Sequence, residues 1–200
     1  MIKVMVVEDQ ALVRGAISAL LSLDHDIEVV AEAADGAEAK QLLQSVIPDI
    51  VLTDIEMPNM TGLELLEHVS QAHETCQTVI MTTFSRAGYI RRALAGGARG
   101  FVLKEAPSEY LIRTLKQVVC GKKVIDPELA LSALDDTDPL TEKERKALRL
   151  AGEGYKTAEI AKSLYLSEGT IRNYLSDAIA KLNASNRVDA ARIAKQKGWL

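Results

Sequence analysis

Five side chains in the first half of this sequence could act together. Glu8 and Asp9 form an acid pair at the end of an apolar run, Asp54 closes DIVLT, Thr82 closes TVIMT, and Lys104 follows GFVL. Three carboxylates gathered in one place repel each other unless a cation neutralises them. Hard oxygen donors with no His or Cys beside them suit Mg²⁺ or Mn²⁺. Asp9 and Asp54 are then direct ligands, Glu8 acts through a bound water, and Lys104 supplies a fixed positive charge opposite them. Such a site suits an incoming phosphoryl group. Asp54 is the nucleophile, the metal and Lys104 neutralise the equatorial oxygens, and Thr82 donates a hydrogen bond to one of them. A single acid at a strand end is ordinarily just solvated; the weight lies in five chemically matched positions.

The elements between them predict how they meet. Ile2–Val7, Ile27–Ala33, Asp49–Thr53, Thr78–Thr82 and Gly100–Leu103 are short apolar, β-rich runs. They alternate with helical spacing over Ala11–Ser22, Gly36–Ser45, Gly62–Gln71, Arg86–Ala95 and Ser108 to about Cys120, with Ser108 as a cap. In the first helix Leu12, Ala16, Ala19, Leu20 and Leu23 form the expected core face. This alternation predicts an α/β domain, a doubly wound five-stranded parallel sheet with helices on both faces. In such sheets the site lies beyond the carboxyl ends of the strands, where Glu8, Asp9, Asp54, Thr82 and Lys104 all fall.

The chain has 200 residues, 48% hydrophobic and 26% charged, with net charge −4. That composition excludes disorder and collagen-like structure and allows one or two domains. No apolar run reaches the ~18–20 residues of a membrane span, and the start MIKVMVVEDQ lacks a signal-peptide pattern, so a cytoplasmic protein without membrane insertion is expected. Cys76 and Cys120 have no metal-ligand spacing and are expected to be buried, inert thiols. The net charge hides an asymmetry. Residues 1–138 carry −9 and residues 139–200 carry +5, so a basic C-terminal part could meet nucleic acid.

On Glu8–Asp9, Asp54 within TDIEMPNMTG, Thr82, and Phe101 with Lys104 in GFVLK, residues 1–120 resemble a CheY-type receiver domain of bacterial two-component systems. The resemblance implies that Asp54 takes phosphate from a sensor histidine kinase. It implies that the backbone carbonyl of Glu56 completes the metal shell, and that Met57–Pro58 and Gly62 shape the adjoining loop. It also implies that Thr82 and Phe101 fill switch positions, Thr82 moving toward the phosphate and Phe101 turning inward. Glu56 and Phe84, each two residues after a site residue, flank the route of a hydrolysing water and are expected to set the phosphate lifetime.

Residues 121–138 read as a linker, with a short helix at Glu128–Leu134. Residues 139–200 read as four helices. Thr141 and Glu144 form a capping box opening a helix to about Gly152; Thr157–Leu164 is the second; Ser167 caps a third over Glu168–Leu182 with Ile171, Leu175, Ile179 and Leu182 inward; and Arg187–Gln196 is the fourth. The second and third make a helix-turn-helix, whose second helix enters the major groove. Thr170, Arg172, Asn173, Ser176, Asp177 and Lys181 point outward; Arg and Asn can read base edges, and Lys, Thr and Ser suit phosphates. Through Leu140–Thr141, Glu144, Gly154, Glu159–Ile160–Ala161, Ser167, Thr170–Ile171–Arg172, Lys181–Leu182 and Gly198–Trp199, this segment is similar to the LuxR/NarL-type DNA-binding domain. That similarity implies DNA contacts from Arg172, Asn173 and Lys181 and dimerisation through the fourth helix.

Together the two parts resemble a NarL/FixJ-type response regulator, and EDQ, TDIEMP, TTF and GTIRNY most resemble its DesR group. The implied function is Mg-dependent phosphorylation at Asp54, promoting a homodimer that binds promoter DNA, with no enzymatic role beyond self-catalysed phosphotransfer and dephosphorylation. Two other readings use the same residues. A phosphoaspartate hydrolase needs a second Asp two after the nucleophile, where Glu56 stands, and an interaction switch without DNA leaves the +5 segment unused.

Overall fold

The apolar runs of the first half are the strands of one parallel sheet. The structure is a computed structural model that describes residues 1–73, 75–83, 87–127, 129–130 and 138–200. In chain order the first part runs β1 (Ile2–Val7), α1 (Ala11–Leu21), β2 (Ile27–Ala33), α2 (Gly36–Leu42), β3 (Ile50–Asp54), α3 (Gly62–Ala72), β4 (Gln77–Thr82), α4 (Ala87–Ala95), β5 (Gly100–Leu103), α5 (Ser108–Val119) and β6 (Val124–Ile125). The strands lie in the order β2-β1-β3-β4-β5-β6, and every pairing is parallel. The chain steps outward from β1 to β2, then crosses back to β3 on the other side of β1. The carboxyl ends of β1 and β3 therefore flank the switch point where such sheets bind ligands.

The strand period of two explains the near-continuous apolar runs. Val4 and Val6 of β1, with Ile50 and Leu52 of β3, pack on one face against Leu21 of α1 and Leu111, Leu115 and Val118 of α5. Met5, Val7 and Val51 pack on the other against Ala39 of α2 and Leu65 and Val69 of α3. Both faces are covered by helices, so alternation with polar residues would leave unpaired groups buried.

Several expectations are corrected. The sheet has six strands rather than five, because Val124 and Ile125 pair with Gly100 and Phe101 of β5; two residues are too few to give a period. Of the expected face of helix α1, Leu20 packs at the edge of the core, but Leu12, Ala16, Ala19 and Leu23 are exposed and the centre of the inner face lies elsewhere. Leu12 and Leu23 are 87% and 81% exposed, while Ser18 and Leu21 are buried. ALVRGAISALL is apolar on nearly every side, so spacing alone does not choose its inner face. Ser108 is the first residue of α5 rather than its cap; Pro107 precedes it and makes no side-chain cap bond. Cys76 is buried, but Cys120 is exposed, because it follows Val119 past the buried stripe of Leu111, Leu115 and Val118. Of the helix expected at Glu128–Leu134, Glu128 and residues 131–134 lie outside the described residues; Leu129 and Ala130 are helical.

The second compact unit contains α6 (Glu142–Gly152), α7 (Thr157–Ser163), α8 (Glu168–Lys181) and α9 (Arg187–Gln196). The expected capping box is present. The Thr141 hydroxyl accepts from Glu144 N–H, and the Glu144 carboxylate accepts from Thr141 N–H. Helix α6 ends on Gly154 at φ 95°, a left-handed position where glycine carries no Cβ penalty. Leu148, Ile160, Ile171, Leu175 and Ala178 form its core with Trp199. Ile179 and Leu182 only border that core, since Ala178 takes the central inward position of the third turn. Among the described residues, no helix is long and apolar enough to cross a membrane.

Candidate functional site

Glu8 and Asp9 follow β1, Asp54 ends β3, Thr82 ends β4 and Lys104 follows β5. The parallel register brings these ends to one edge. Glu8, Asp9 and Asp54 each offer an oxygen within 4.8 Å of the others. Lys104 Nζ lies 2.7 Å from Glu8 Oε2 and 3.0 Å from Asp54 Oδ2. The Lys104 N–H donates to the Thr82 carbonyl at 2.8 Å, which ties the ends of β4 and β5 together beneath the lysine. Thr82 and Phe101 are buried, Phe101 completely.

The loop after Asp54 is shaped from both sides. The Ile55 N–H donates to Asp54 Oδ1 at 2.7 Å and fixes the carboxylate rotamer, leaving Oδ2 to Lys104. A Cβ on Gly62 would stand 1.8 Å from the Asp54 carbonyl oxygen, so only glycine lets α3 start this close to β3. Asn59 adopts φ 60°, and its amide donates to Asp35 at 2.6 Å.

The electrostatics fit a divalent cation. Burial pushes Glu8 and Asp54 above their ordinary range, against the opposing pull of Lys104. Burial also disfavours charge on Lys104, but its close approach to the two carboxylates outweighs this and holds the amine above its usual value. Three carboxylates and one ammonium leave an excess of two negative charges. Glu8 Oε2 is buried and receives no well-directed hydrogen bond despite the adjacent ammonium, whereas Asp9 is exposed and opens the cluster to solvent. An all-oxygen donor set of this charge suits Mg²⁺ or Mn²⁺. The surface cleft lined by Asp24, Ile112, Arg113 and Lys116 shares no residue with this cluster.

One contact was not anticipated. The Tyr89 hydroxyl of α4 donates to Glu56 Oε1 at 3.0 Å. Tyr89 is buried at 7% exposure, so its hydroxyl needs a partner; a tyrosine on the helix beside the site was the only available signal. Phe84 lies outside the described residues.

In the second unit, Ser167 caps α8 by accepting from Thr170 N–H at 3.1 Å, and its hydroxyl meets that of Thr170 at 2.8 Å. Arg172, Asn173, Ser176 and Asp177 are exposed, and Thr170 is half-buried. Arg172 pairs with Glu168 at 3.0 Å, with 68% and 49% of the side chains exposed. Such a surface pair is worth about 0.3–0.5 kcal/mol, less than the about 1–3 kcal/mol of a bidentate base contact, so Arg172 is free to exchange it. Lys181 differs. Its ammonium bonds to both oxygens of Glu144, at 2.8 and 2.7 Å.

This fold and this pair of sites define a class. Residues 4–116 match the response regulator receiver domain, and residues 138–194 match the bacterial regulatory proteins of the luxR family. The chain belongs to the response regulators that join a receiver domain to a LuxR-type DNA-binding domain, a family of transcriptional regulators. Among its relatives are two transcriptional regulatory proteins of Bacillus subtilis (strain 168). It is 42% identical to YvfU over 100% of both chains, and 40% identical to DesR over 100% of this chain and 99% of DesR. The Salmonella typhimurium response regulator RcsB, 23% identical over 98% of each chain, shares the fold with a TM-score of 0.73.

Proposed function

We propose that Asp54 accepts a phosphoryl group from a phosphohistidine on a sensor histidine kinase, and that this controls binding of a homodimer to promoter DNA. The observation that carries the reading is Lys104 bridging Glu8 and Asp54 beside the exposed Asp9. Asp54 Oδ2 is the attacking oxygen, since Ile55 N–H holds Oδ1. Asp9 and Asp54 would hold Mg²⁺ or Mn²⁺ directly, Glu8 through water, and Glu56 through its backbone carbonyl. The ion supplies positive charge to the phosphoryl oxygens, as Lys104 does from the other side. Thr82 donates to a phosphoryl oxygen and Phe101 fills the space it leaves. Glu56 and Phe84 set the lifetime of the phosphoaspartate, the protein's self-catalysed dephosphorylation.

The division proposed is 1–120 for the phosphoacceptor domain, 121–138 for the linker and 139–200 for the DNA-binding domain, with β6 joining the first sheet. Thr170, Arg172, Asn173 and Ser176 of α8 meet DNA, Arg172 and Asn173 at base edges. Work on DNA and exchange with a kinase are consistent with a cytoplasmic location. A gel-shift assay on promoter DNA with and without acetyl phosphate tests the whole reading. Retardation strengthened by acetyl phosphate is expected, and no retardation in either condition defeats it.

A further inference from the structure

Lys181 reads from sequence as a DNA contact, but its surroundings give it a different task. Glu144 is 4% exposed, and a carboxylate so buried needs its charge met locally. Three bonds meet it. Thr141 N–H lies 2.7 Å from Oε2, and Lys181 Nζ lies 2.8 Å from Oε1 and 2.7 Å from Oε2. Glu144 is the third residue of α6, held by the capping box of its first turn. Lys181 is the last residue of α8, where the helix dipole also favours a cation. Moving Lys181 to a phosphate would strip a buried carboxylate of its counter-charge, whereas Arg172 has only an exposed partner to give up.

Position along the helix adds to this. Lys181 lies nine residues beyond Arg172, about 13 Å along the axis, and turns of about 100° per residue bring it to the opposite flank. Apolar packing of Ile171, Leu175 and Ala178 is non-directional. A two-bond ion pair to a capped carboxylate is directional. A swing of about 5° about that end displaces Arg172 by about 1 Å, the scale at which a recognition geometry is lost.

Resting on the reading of α8 as the DNA-entering helix, we infer that Glu144 and Lys181 are positioning residues. They clamp the end of α8 to the first turn of α6 and set the angle at which Arg172 and Asn173 meet the bases, and Lys181 itself does not touch DNA.

The test uses the full-length protein and two probes: a duplex recovered by the wild type from a random-sequence library, and a random duplex of equal length. Binding is measured from about 50 to about 200 mM salt. Lys181→Met and Glu144→Gln are each expected to weaken the recovered duplex about tenfold and the random duplex less than about twofold, with an unchanged salt slope; the double variant is no worse than either single. Lys181→Arg, which still reaches Glu144, keeps the preference within about twofold.

Three results overturn the inference. The first is equal weakening on both probes with a slope reduced by about one, the mark of a lost phosphate contact. The second is tighter binding by Glu144→Gln, as a released lysine would give. The third is a lowered melting temperature with the wild-type preference between probes intact, which leaves only a structural brace. Failure of the wild type to recover any preferred duplex defeats the DNA reading itself, and the inference with it.

Discussion

The ammonium of Lys104 stands 3.0 Å from Oδ2 of Asp54, and both side chains are only 11% exposed. The oxygen that would carry the phosphoryl group therefore already faces a cation. Lys104→Met removes that charge from a cluster of three carboxylates. Two effects of opposite sign are expected. Mg²⁺ binds about threefold or more tightly, because a nearby positive charge is gone. Phosphoryl uptake from acetyl phosphate slows about tenfold or more, because the developing charge loses a donor. Calorimetric Mg²⁺ titration and single-turnover labelling check the two arms, and weaker Mg²⁺ binding would show that Lys104 lies outside the metal's field.

Tyr89 holds the Glu56 carboxylate at 3.0 Å. Tyr89→Phe removes that hydrogen bond, which loosens the carboxylate and lets it turn more often toward a water at the phosphoaspartate. A phosphate lifetime shortened about two- to fivefold is expected. In the Glu56→Ala background the same change has no further effect, because the group it restrains is absent. An additive effect would mean that Tyr89 acts without Glu56.

Glu144 is expected to give the C-terminal unit an acid dependence. Burial alone would raise its carboxyl, but the bonds from Lys181 and Thr141 outweigh burial and hold it below its ordinary value of 4.5. A group depressed in the folded state stabilises above its unfolded value, and that contribution is lost as the pH falls through the folded one. Melting followed at Trp199, the single tryptophan, is expected to weaken below pH 4.5. The Glu144→Gln variant shows a flatter pH profile at a lower starting stability.

The two thiols separate by reactivity. Burial pushes the Cys76 thiol up to about 11, whereas Cys120 is exposed. Iodoacetamide at neutral pH labels Cys120 and spares Cys76 in the native protein, and both once it is unfolded. Equal native labelling would contradict the burial of Cys76.

The site was more legible than the packing around it. Glu8, Asp9, Asp54 and Lys104 could be found because a parallel sheet sends every strand's carboxyl end to one edge, so chain order alone predicts their meeting. The capping box of Thr141 and Glu144 was readable because both of its bonds span three residues. The inner face of α1 was not, since its stripe through Leu12, Ala16 and Ala19 is as apolar as the buried one. Two residues of β6 carry no period. The Tyr89–Glu56 and Lys181–Glu144 contacts join positions 33 and 37 residues apart, and only the packed structure supplies such pairs. Lys181 shows the consequence: an outward polar position on a helical wheel says nothing of a neighbouring helix that meets it.

Uptake of phosphate by Asp54 depends, on this reading, on a divalent ion held by its neighbours. Peptide mass spectrometry after incubation with acetyl phosphate tests it most directly. A phosphoryl adduct is expected on the peptide containing Asp54 in the presence of Mg²⁺, lost with EDTA, in Asp54→Asn and in Asp9→Asn. An adduct that persists in Asp54→Asn, or that forms equally without a divalent ion, would contradict this reading.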